Sequence, residues 1–242
     1  MNLRKILLRS HLYAGLEQEL NRLRTMLLEV KARLVIARYL RENTVRKLQI
    51  GAGPTKSPDW LVTDIDVKLR RRTIYLDGTK RFPIPDASID YVFSEHMIEH
   101  IPYPAACAML KECFRVIKPG GRIRLATPDL DKYMDLRTRD LSEVQRAYIE
   151  WNTKTFLPPD TPVAPIFVIN NQFRNYGHQF LFDETCLRDA ISKAGFVDIK
   201  RMPIGESNDP QLTLVEKHGI NMGNEAMTAF ETMVLEACKA NW

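Results

Sequence analysis

Apolar residues repeat at alternating steps of three and four along the N-terminal segment. All eight positions of this heptad frame are apolar: Tyr13, Leu16, Leu20, Leu23, Leu27, Val30, Leu34 and Ala37. The pattern predicts a helical extension over residues 1–44, and such a seam is what keeps two helices in contact. Three interpretations remain open: a coiled coil between two copies, a helix that lays the same stripe on its own domain, or a basic helix on an anionic membrane.

Beyond residue 45 the pattern changes to short apolar runs separated by helical segments. Strands are predicted for the runs at 48–50, 60–64, 73–77, 89–94 and 121–127. Residues 104–117 predict a helix with apolar residues along one side. Strands that alternate with helices indicate an α/β domain over residues 45–242, Rossmann-like and doubly wound, with a mostly parallel sheet and helices on both faces.

The signal weakens after the fifth predicted strand. Residues 131–155 are typical of helix, whereas 157–176 contain several prolines and asparagines and predict a long loop. A long loop within a compact domain is often functional. We therefore expect a lid or insertion at about residues 131–178.

The C-terminal part returns to regular patterns. Residues 183–195 predict a helix that ends on a glycine, and a strand follows at 196–200. If residues 212–218 form a strand, Glu216 and His218 share one of its faces. We expect that face to be solvated rather than to contact a ligand.

The net charge of +5 belongs to the N-terminal segment. Residues 1–47 hold eleven Lys and Arg against four Asp and Glu, and the remaining residues hold 24 against 26. A domain that grips a phosphate backbone usually carries the positive charge itself. We therefore do not expect nucleic acid as a partner.

No apolar run approaches the roughly 18 residues that a membrane span needs. Arg9, Ser10 and His11 interrupt the N-terminal apolar run before a signal-peptide core can form. These features predict a cytoplasmic protein with no transmembrane segment. The four cysteines form no CxxC pair and no cluster with histidine, so we expect no metal site.

A glycine turn follows the first predicted strand. In Gly51-Ala52-Gly53, the two glycines let the backbone approach a ligand that a Cβ atom would push away. The turn matches neither GxGxxG nor GxxxxGK[ST], so a dinucleotide or nucleoside triphosphate site would lack its phosphate cradle. A glycine turn with a purely structural use remains the alternative.

Acidic residues follow the next two predicted strands. Asp64, next to Ile65, can accept hydrogen bonds from both hydroxyls of a ribose. Asp77, followed by Gly78, can accept from an exocyclic amine. Asp66 competes with Asp64 for the ribose, and we prefer Asp64 because it follows the strand directly. The layout is that of a nucleoside site at the carboxyl edge of a sheet.

Further motifs follow in an order and spacing that resemble a known family. They are Leu48-Gln49-Ile50-Gly51-Ala52-Gly53, Val62-Thr63-Asp64-Ile65-Asp66, the run from Phe82 to Val92, Ser94-Glu95-His96-Met97-Ile98-Glu99-His100-Ile101, Arg115-Val116-Ile117-Lys118-Pro119-Gly120-Gly121 and the segment from Gly177 to Phe196. Over residues 46–200 the chain resembles class I S-adenosylmethionine-dependent methyltransferases, in particular small bacterial predicted methyltransferases. One departure is Gln49, since many members have an acid shortly before the glycine turn.

This resemblance implies S-adenosylmethionine as the cofactor and assigns places around it. Gly51, Ala52 and Gly53 would border its amino-acid part, Asp64 and Ile65 its ribose, and Asp77 and Gly78 its adenine. Glu95 and His96 would face the methionine end and the acceptor.

Histidine suits the removal of an acceptor proton near neutral pH. We predict His96 and His178 as the catalytic candidates and expect His100 to have a capping or packing role. A metal site on His96 and His100 lacks an evident third ligand.

The predicted activity is O-methylation of a small molecule or, by resemblance alone, a glycan, with a homodimer formed through the N-terminal helix. Two alternatives remain open. One is a methyltransferase acting on RNA or protein, with the basic helix as its docking arm. The other is a non-catalytic scaffold that keeps the fold, for which Gln49 is the only support.

Overall fold

The molecule is built on one seven-stranded sheet. The structure, a computed structural model, describes residues 3–53, 55, 57–67 and 73–241, with side chains described from residue 15 onwards. The strands are β1 (Lys47–Ile50), β2 (Leu61–Asp64), β3 (Ile74–Tyr75), β4 (Ile89–Glu95), β5 (Ile117–Pro128), β6 (Val197–Met202) and β7 (Thr232–Cys238). They are arranged in the order β3-β2-β1-β4-β5-β7-β6.

Helices connect the strands and flank the sheet. They are α1 (Leu3–Glu42), α2 (Tyr103–Val116), α3 (Leu130–Asp135), α4 (Glu143–Phe156), α5 (Pro165–Arg174), α6 (Glu184–Lys193), α7 (His218–Asn221) and α8 (Glu225–Glu231), with a 3₁₀ turn at Ile98–His100. Within the part of the chain that the structure describes, none of the helices is long and apolar enough to cross a bilayer.

The first five strands of the chain run parallel, and β7 lies antiparallel between β5 and β6. The prediction of a Rossmann-like, mostly parallel sheet is confirmed. Strand β7 was not predicted from the sequence; it pairs with β5 over seven positions, from Arg122↔Cys238 to Pro128↔Thr232.

The main core lies between the sheet and amphipathic helices. On α2, Ala106, Met109, Leu110 and Cys113 follow helical spacing and are fully buried. Full burial of a large aliphatic side chain contributes roughly 1.5–3 kcal/mol. This one-sided apolar pattern is what makes the segment a sheet-covering helix.

Helix α1 has two apolar faces. Ala32 and Ile36 are buried in the main core, and the Tyr39 hydroxyl donates to the carbonyls of Lys47 and Asp59. The heptad seam faces the other way. Its residues from Leu16 to Leu34 are 55–72% exposed; Tyr13 lies outside the residues whose side chains are described.

The orientation of α1 excludes one of the three interpretations of the seam. A helix that lays this stripe on its own domain is excluded for residues 16–34, because the domain covers a different face. The last turns of α1 belong to the main core, whereas the seam is left to solvent.

The segment predicted as a lid forms its own small core. Tyr133, Leu136, Tyr148, Ile149, Val168 and Ile169, from α3, α4 and α5, are buried together. The prediction of a long loop over residues 157–176 is wrong, because α5 occupies 165–174. Pro165 stands at the start of this helix, where its missing N–H costs no hydrogen bond.

Residues 212–218 form turns that lead into α7 and not a strand. The expectation of a solvated face for Glu216 and His218 is also wrong. Glu216 is bonded to the fully buried guanidinium of Arg124 on β5, together with Glu236 of β7. The ion cluster fixes this segment over the sheet.

Candidate active site

The carboxyl ends of β1 and β4 lie side by side in the middle of the sheet. Ile50, the last residue of β1, is paired with Ser94 of β4. From β1 the chain continues to β2 on one side, and from β4 to β5 on the other, so the strand order reverses here. Open α/β sheets bind ligands at such a reversal.

A cavity of about 330 Å³ opens at this edge. The turn Gly51-Ala52-Gly53 lines one part of it. Histidines line another part, and they are four of the five in the chain: His96, His100, His178 and His218. The cavity therefore brings together the glycine turn, Glu95 and both predicted catalytic histidines.

The two glycines of the turn have different surroundings. Both have positive φ, +65° at Gly51 and +49° at Gly53. A Cβ atom at Gly51 would lie 2.1 Å from Cγ of Met97, whereas at Gly53 no atom of the described residues lies within 4 Å of a Cβ position. The turn is thus closed against Met97 and open at Gly53, where a ligand can approach the backbone.

Asp64 anchors the glycine turn. Its carboxylate accepts from the backbone N–H of Gly53 and of Asp66, both at 2.8 Å. Gln49 is buried, and its side-chain oxygen has no hydrogen-bond partner among the described residues. The turn is therefore held by the acid after β2 rather than by a residue before the turn. Each Asp64 oxygen keeps a lone pair for a further donor.

Asp77 lies beside a second, smaller cavity. This space of about 110 Å³ is shared with Ala32 and Arg33 of α1. The Asp77 carboxylate accepts from the amide and hydroxyl of Thr79 and lies 3.4 Å from the ammonium of Lys80. These donors outweigh the effect of burial and lower the pKa of Asp77.

Ile65 and Gly78 complete the predicted nucleoside face. Ile65 is exposed after β2. Gly78 faces the side chain of Met97, whose Cε would lie 3.4 Å from a Cβ at this position. Met97 therefore contacts both Gly51 and Gly78. This role was not predicted from the sequence, in which Met97 is one residue between Glu95-His96 and the 3₁₀ turn.

Glu95 bridges β4 and the segment before α7. Its carboxylate accepts the backbone N–H groups of Lys217 and His218 at 2.9–3.0 Å. Burial raises the pKa of Glu95, although the two N–H donors act in the opposite direction. Glu95 thus positions His218, a cavity residue 123 positions away in the sequence.

His96 is held from two sides. Nε2 lies 3.0 Å from the Thr232 hydroxyl, and Nδ1 lies 3.3 Å from Oε1 of Glu99. Burial alone would lower the pKa of His96, but the neighbouring Glu99 carboxylate outweighs it and raises the pKa. The ring of His218 stacks on that of His96.

His178 has one ring nitrogen fixed by the backbone. Nδ1 lies 2.8 Å from the carbonyl oxygen of Gln172 and must donate to it, because a carbonyl only accepts. Nε2 of the neutral ring is then a lone-pair nitrogen. Burial lowers the pKa of His178, which favours this neutral form. The ring packs edge-on against His100 with centroids 5.0 Å apart.

Glu99 brings a buried carboxylate to the same histidines. It is fully buried, and Oε2 accepts from the Thr127 hydroxyl at 3.0 Å. Ligand atoms of Glu99, His100 and His178 lie within 4.8 Å of one another. This group includes His100 but not His96, so the pair considered from the sequence spacing is not the cluster that the fold forms.

The sequence comparisons place a known domain on this part of the sheet. Residues 59–125 match the family described as Methyltransferase domain. The matched residues run from just before β2 into β5 and include the segment from Glu95 to His100. Over 68 residues the chain is 45% identical to a probable S-adenosylmethionine-dependent methyltransferase of Mycolicibacterium smegmatis, covering 28% of this chain and 26% of that one. Residues 59–125 are thus similar to a methyltransferase domain, in agreement with the resemblance that the sequence motifs indicate.

Other relatives of the methyltransferase domain extend the comparison. An uncharacterized protein in a Streptomyces fradiae transposon is 32% identical over 123 residues, 42% of this chain and 34% of its own length. The chain thus spans about a third or less of the curated relatives it matches. A solved methyltransferase of Archaeoglobus fulgidus covers 87% of this chain and 94% of its own, with 16% identity and a TM-score of 0.49.

The Mycolicibacterium smegmatis relative is named for S-adenosylmethionine, the cofactor that the sequence motifs of this chain predict. The residues of this chain fit that group. The open backbone at Gly53 accepts close approach, Asp64 retains acceptor capacity, and Ile65 offers exposed apolar surface beside it. The individual contacts assigned to these residues stay predictions.

Proposed function

We propose that the protein transfers the methyl group of S-adenosylmethionine to a hydroxyl oxygen of a small molecule or a glycan. The proposal rests on one cavity that is lined by the glycine turn and by four histidines. These histidines, His96, His100, His178 and His218, form the histidine wall. The turn precedes residues 59–125, which match the methyltransferase family, and imidazole is the side chain best suited to take a proton near neutral pH.

In this proposal the cofactor extends from the cavity across the end of β2. Gly51, Ala52 and Gly53 border its amino-acid part, and Asp64 with Ile65 holds the ribose. Asp77 and Gly78 border the adenine. Bound S-adenosylmethionine supplies an electrophilic methyl group on a sulfonium, and the protein must align the acceptor with it.

The acceptor's proton is assigned to the histidine wall. His178 offers a lone pair on Nε2, because its Nδ1 is committed to the Gln172 carbonyl. Along the sequence, His96 is closer to the glycine turn than His178 is. Both ring nitrogens of His96, however, face other side chains, Thr232 and Glu99. The geometry favours His178 for contact with the acceptor and His96 for its positioning.

Calorimetric titration with S-adenosylmethionine and S-adenosylhomocysteine tests the cofactor site. We expect both to bind the full chain and to bind Asp64→Asn at least about tenfold more weakly, since a charged acceptor of ribose hydroxyls is lost. Asp66→Asn is the matched control and should bind as the parent does. Failure of either ligand to bind the folded full chain would overturn the methyltransferase proposal.

Transfer of a labelled methyl group tests the acceptor class. Small alcohols, phenols and mono- and oligosaccharides would be incubated with the protein and methyl-labelled cofactor, with amines and thiols as comparison acceptors. The proposal expects label in a methyl ether, identified by mass spectrometry and NMR of the product. Label confined to nitrogen or sulfur acceptors would refute O-methylation.

We also propose that two copies pair through the exposed seam of α1. The seam continues in register from Leu16 to Ala37 and points away from the domain, so a second copy of the same stripe can cover it. The flanking charges are mixed at both ends of the seam, so the apolar stripe is what supports this occupant.

The oligomeric state is testable without shortening the chain, whose residues 32–40 are part of the core. Sedimentation equilibrium should show a dimer for the full chain and a monomer for Leu20→Glu with Leu27→Glu. The control is Gln18→Glu with Thr25→Glu, which adds the same charges off the seam. A monomeric parent would refute the pairing, and binding of the monomer to anionic vesicles would assign the seam to a membrane surface instead.

A further inference from the structure

We propose that Glu99, His100 and His178 form a binding site for a divalent transition metal of the zinc and manganese type. Two imidazoles and one carboxylate are a donor set that such ions accept, with coordination positions left for water or a substrate oxygen. All three residues line the cavity that the glycine turn also lines.

The backbone fixes the three ligands relative to one another. Glu99 and His100 are consecutive in the 3₁₀ turn after β4, and His178 lies on the segment after α5. The Glu99 carbonyl accepts the N–H groups of Gln179 and Phe180 at 2.8 and 3.2 Å. The Gln179 side chain also donates to the carbonyl of His100 at 2.9 Å. Segments almost eighty residues apart are thereby tied at the ligands themselves.

Glu99 supplies an observation that points to a missing ligand. Its side chain is fully buried and lines the cavity, yet Oε1 has no hydrogen-bond partner among the described residues. Nδ1 of His96 lies 3.3 Å from Oε1, an ion-pair contact without hydrogen-bond geometry that leaves lone pairs of this oxygen open. A buried carboxylate oxygen without a hydrogen bond is costly, and a cation would satisfy it.

The outer contacts are those that metal ligands commonly have. A ligating histidine usually donates its second ring N–H to a carbonyl or carboxylate, and a ligating carboxylate is itself hydrogen-bonded. His178 donates Nδ1–H to the Gln172 carbonyl, which directs the lone pair to Nε2. Glu99 accepts from the Thr127 hydroxyl through Oε2, which leaves Oε1 for the ion.

Binding requires a small closure of the ligands. They lie within 4.8 Å of one another, whereas donors about 2.1 Å from a tetrahedral ion are roughly 3.4 Å apart. Rotation of the half-buried His100 ring would supply most of this movement, since the His178 ring is held at Nδ1 by the Gln172 carbonyl. The function of the ion rests on the proposed activity: with the ion bound, the Nε2 lone pair of His178 is a metal ligand and no longer takes the acceptor's proton, and an acceptor hydroxyl on the ion would lose its proton to water more readily.

Equilibrium dialysis of the full chain against ZnCl₂ and, separately, MnCl₂ tests the site after removal of bound metal by a chelator. We expect one Zn²⁺ per chain by mass spectrometry of the metal. His100→Gln and His178→Gln should each bind at least about tenfold more weakly, and Thr127→Val, which removes the outer hydrogen bond to Glu99, about tenfold more weakly. His218→Gln is the control in the same cavity and should keep full stoichiometry.

The outcomes separate the metal from the methyl transfer. Circular dichroism first establishes that each variant is folded. If the full chain binds neither ion, or if His218→Gln loses as much affinity as His178→Gln, the metal proposal is overturned. Binding of S-adenosylhomocysteine to the metal-free chain is measured in parallel. If S-adenosylhomocysteine binds and neither metal does, only the methyltransferase proposal stands. If a metal binds and S-adenosylhomocysteine does not, only the metal proposal stands.

Discussion

The rings of His96 and His218 stack with centroids 3.9 Å apart and planes 17° from parallel. Two imidazoles at this distance cannot both be positively charged at low cost. His96 is the one beside a carboxylate, that of Glu99. Burial, followed by the charge of His96, lowers the pKa of His218 to about 3. The stack therefore pairs one imidazole that favours its charged form with one that stays neutral.

The lowered pKa of His218 predicts that this residue makes the folded protein less stable in acid. The unfolded chain binds a proton at His218 near pH 6.5, whereas the folded chain does so only near pH 3, so the contribution of His218 to stability falls as the pH is lowered through this window. His218→Phe keeps an aromatic ring and removes the titration. The slope is at most about 1.4 kcal/mol per pH unit.

Urea unfolding at several pH values between 7 and 4 measures that effect. The free energy of unfolding of the parent should decrease relative to His218→Phe as the pH falls, while the two differ little above pH 7. Equal pH profiles for the two proteins would contradict the assignment of a depressed pKa to His218.

Gly51→Ala should destabilise the turn at the centre of the site. The new Cβ would lie 2.1 Å from Cγ of Met97, and the φ of +65° already disfavours a side chain. We expect a loss of about 2–4 kcal/mol from strain and overpacking together. Gly53→Ala is the matched control, since its Cβ position is open and only backbone strain of about 1 kcal/mol applies.

Thermal and urea unfolding of the two alanine variants checks this difference. The double variant Gly51→Ala with Met97→Ala should recover only part of the lost stability, because the contact with Cγ is removed while the Cβ of residue 97 stays 2.6 Å from the new Cβ. A loss at Gly53 as large as that at Gly51 would show that Met97 does not determine the cost.

Replacing Arg124 by Met should be among the most destabilising changes in the chain. The guanidinium is fully buried between Glu216 and Glu236, and its removal leaves two buried carboxylates without a counter-charge. Breaking a buried pair in this way costs about 3–5 kcal/mol. Lys154→Met, which breaks the exposed pair with Glu150, should cost under about 1 kcal/mol. Urea unfolding of both variants gives the comparison, and similar losses would argue against a structural role for the cluster.

Glu95→Ala should loosen the segment that carries His218. The carboxylate accepts the N–H groups of Lys217 and His218, and leaving buried donors unpaired costs roughly 1–3 kcal/mol. Hydrogen exchange at these two amides should accelerate about tenfold or more. Glu95→Gln keeps one acceptor oxygen and should give an intermediate rate. Unchanged exchange in the alanine variant would refute the anchoring role.

The parts of the site nearest to strand ends were predictable from sequence. Gly51, Asp64 and Asp77 each lie within a few residues of an apolar run that ends at the same edge of the sheet, so local patterns suffice to group them. The parallel order of the first strands follows from the same alternation of strands and helices. Sequence also predicted α1 and the register of its seam.

Contacts between distant segments were not predictable in this way. His178 meets Glu99 because the chain folds back after α5, and His218 reaches His96 because Glu95 binds the backbone before α7. No periodicity records either contact. The apolar run 232–238 was a usable signal for β7, but its place between β5 and β6 depends on pairing across more than a hundred residues.

The small cavity beside Asp77 has a consequence for the molecule in solution. Its walls come from the sheet edge and from Ala32 and Arg33 of α1, the helix whose opposite face carries the seam. An adenine held at Asp77 and a second copy held at the seam would then act on the same helix. If binding at either place shifts this helix, thermodynamic reciprocity requires that each ligand change the affinity for the other by the same factor. Cofactor affinity would in that case vary with protein concentration, and dilution alone would adjust the fraction of loaded sites.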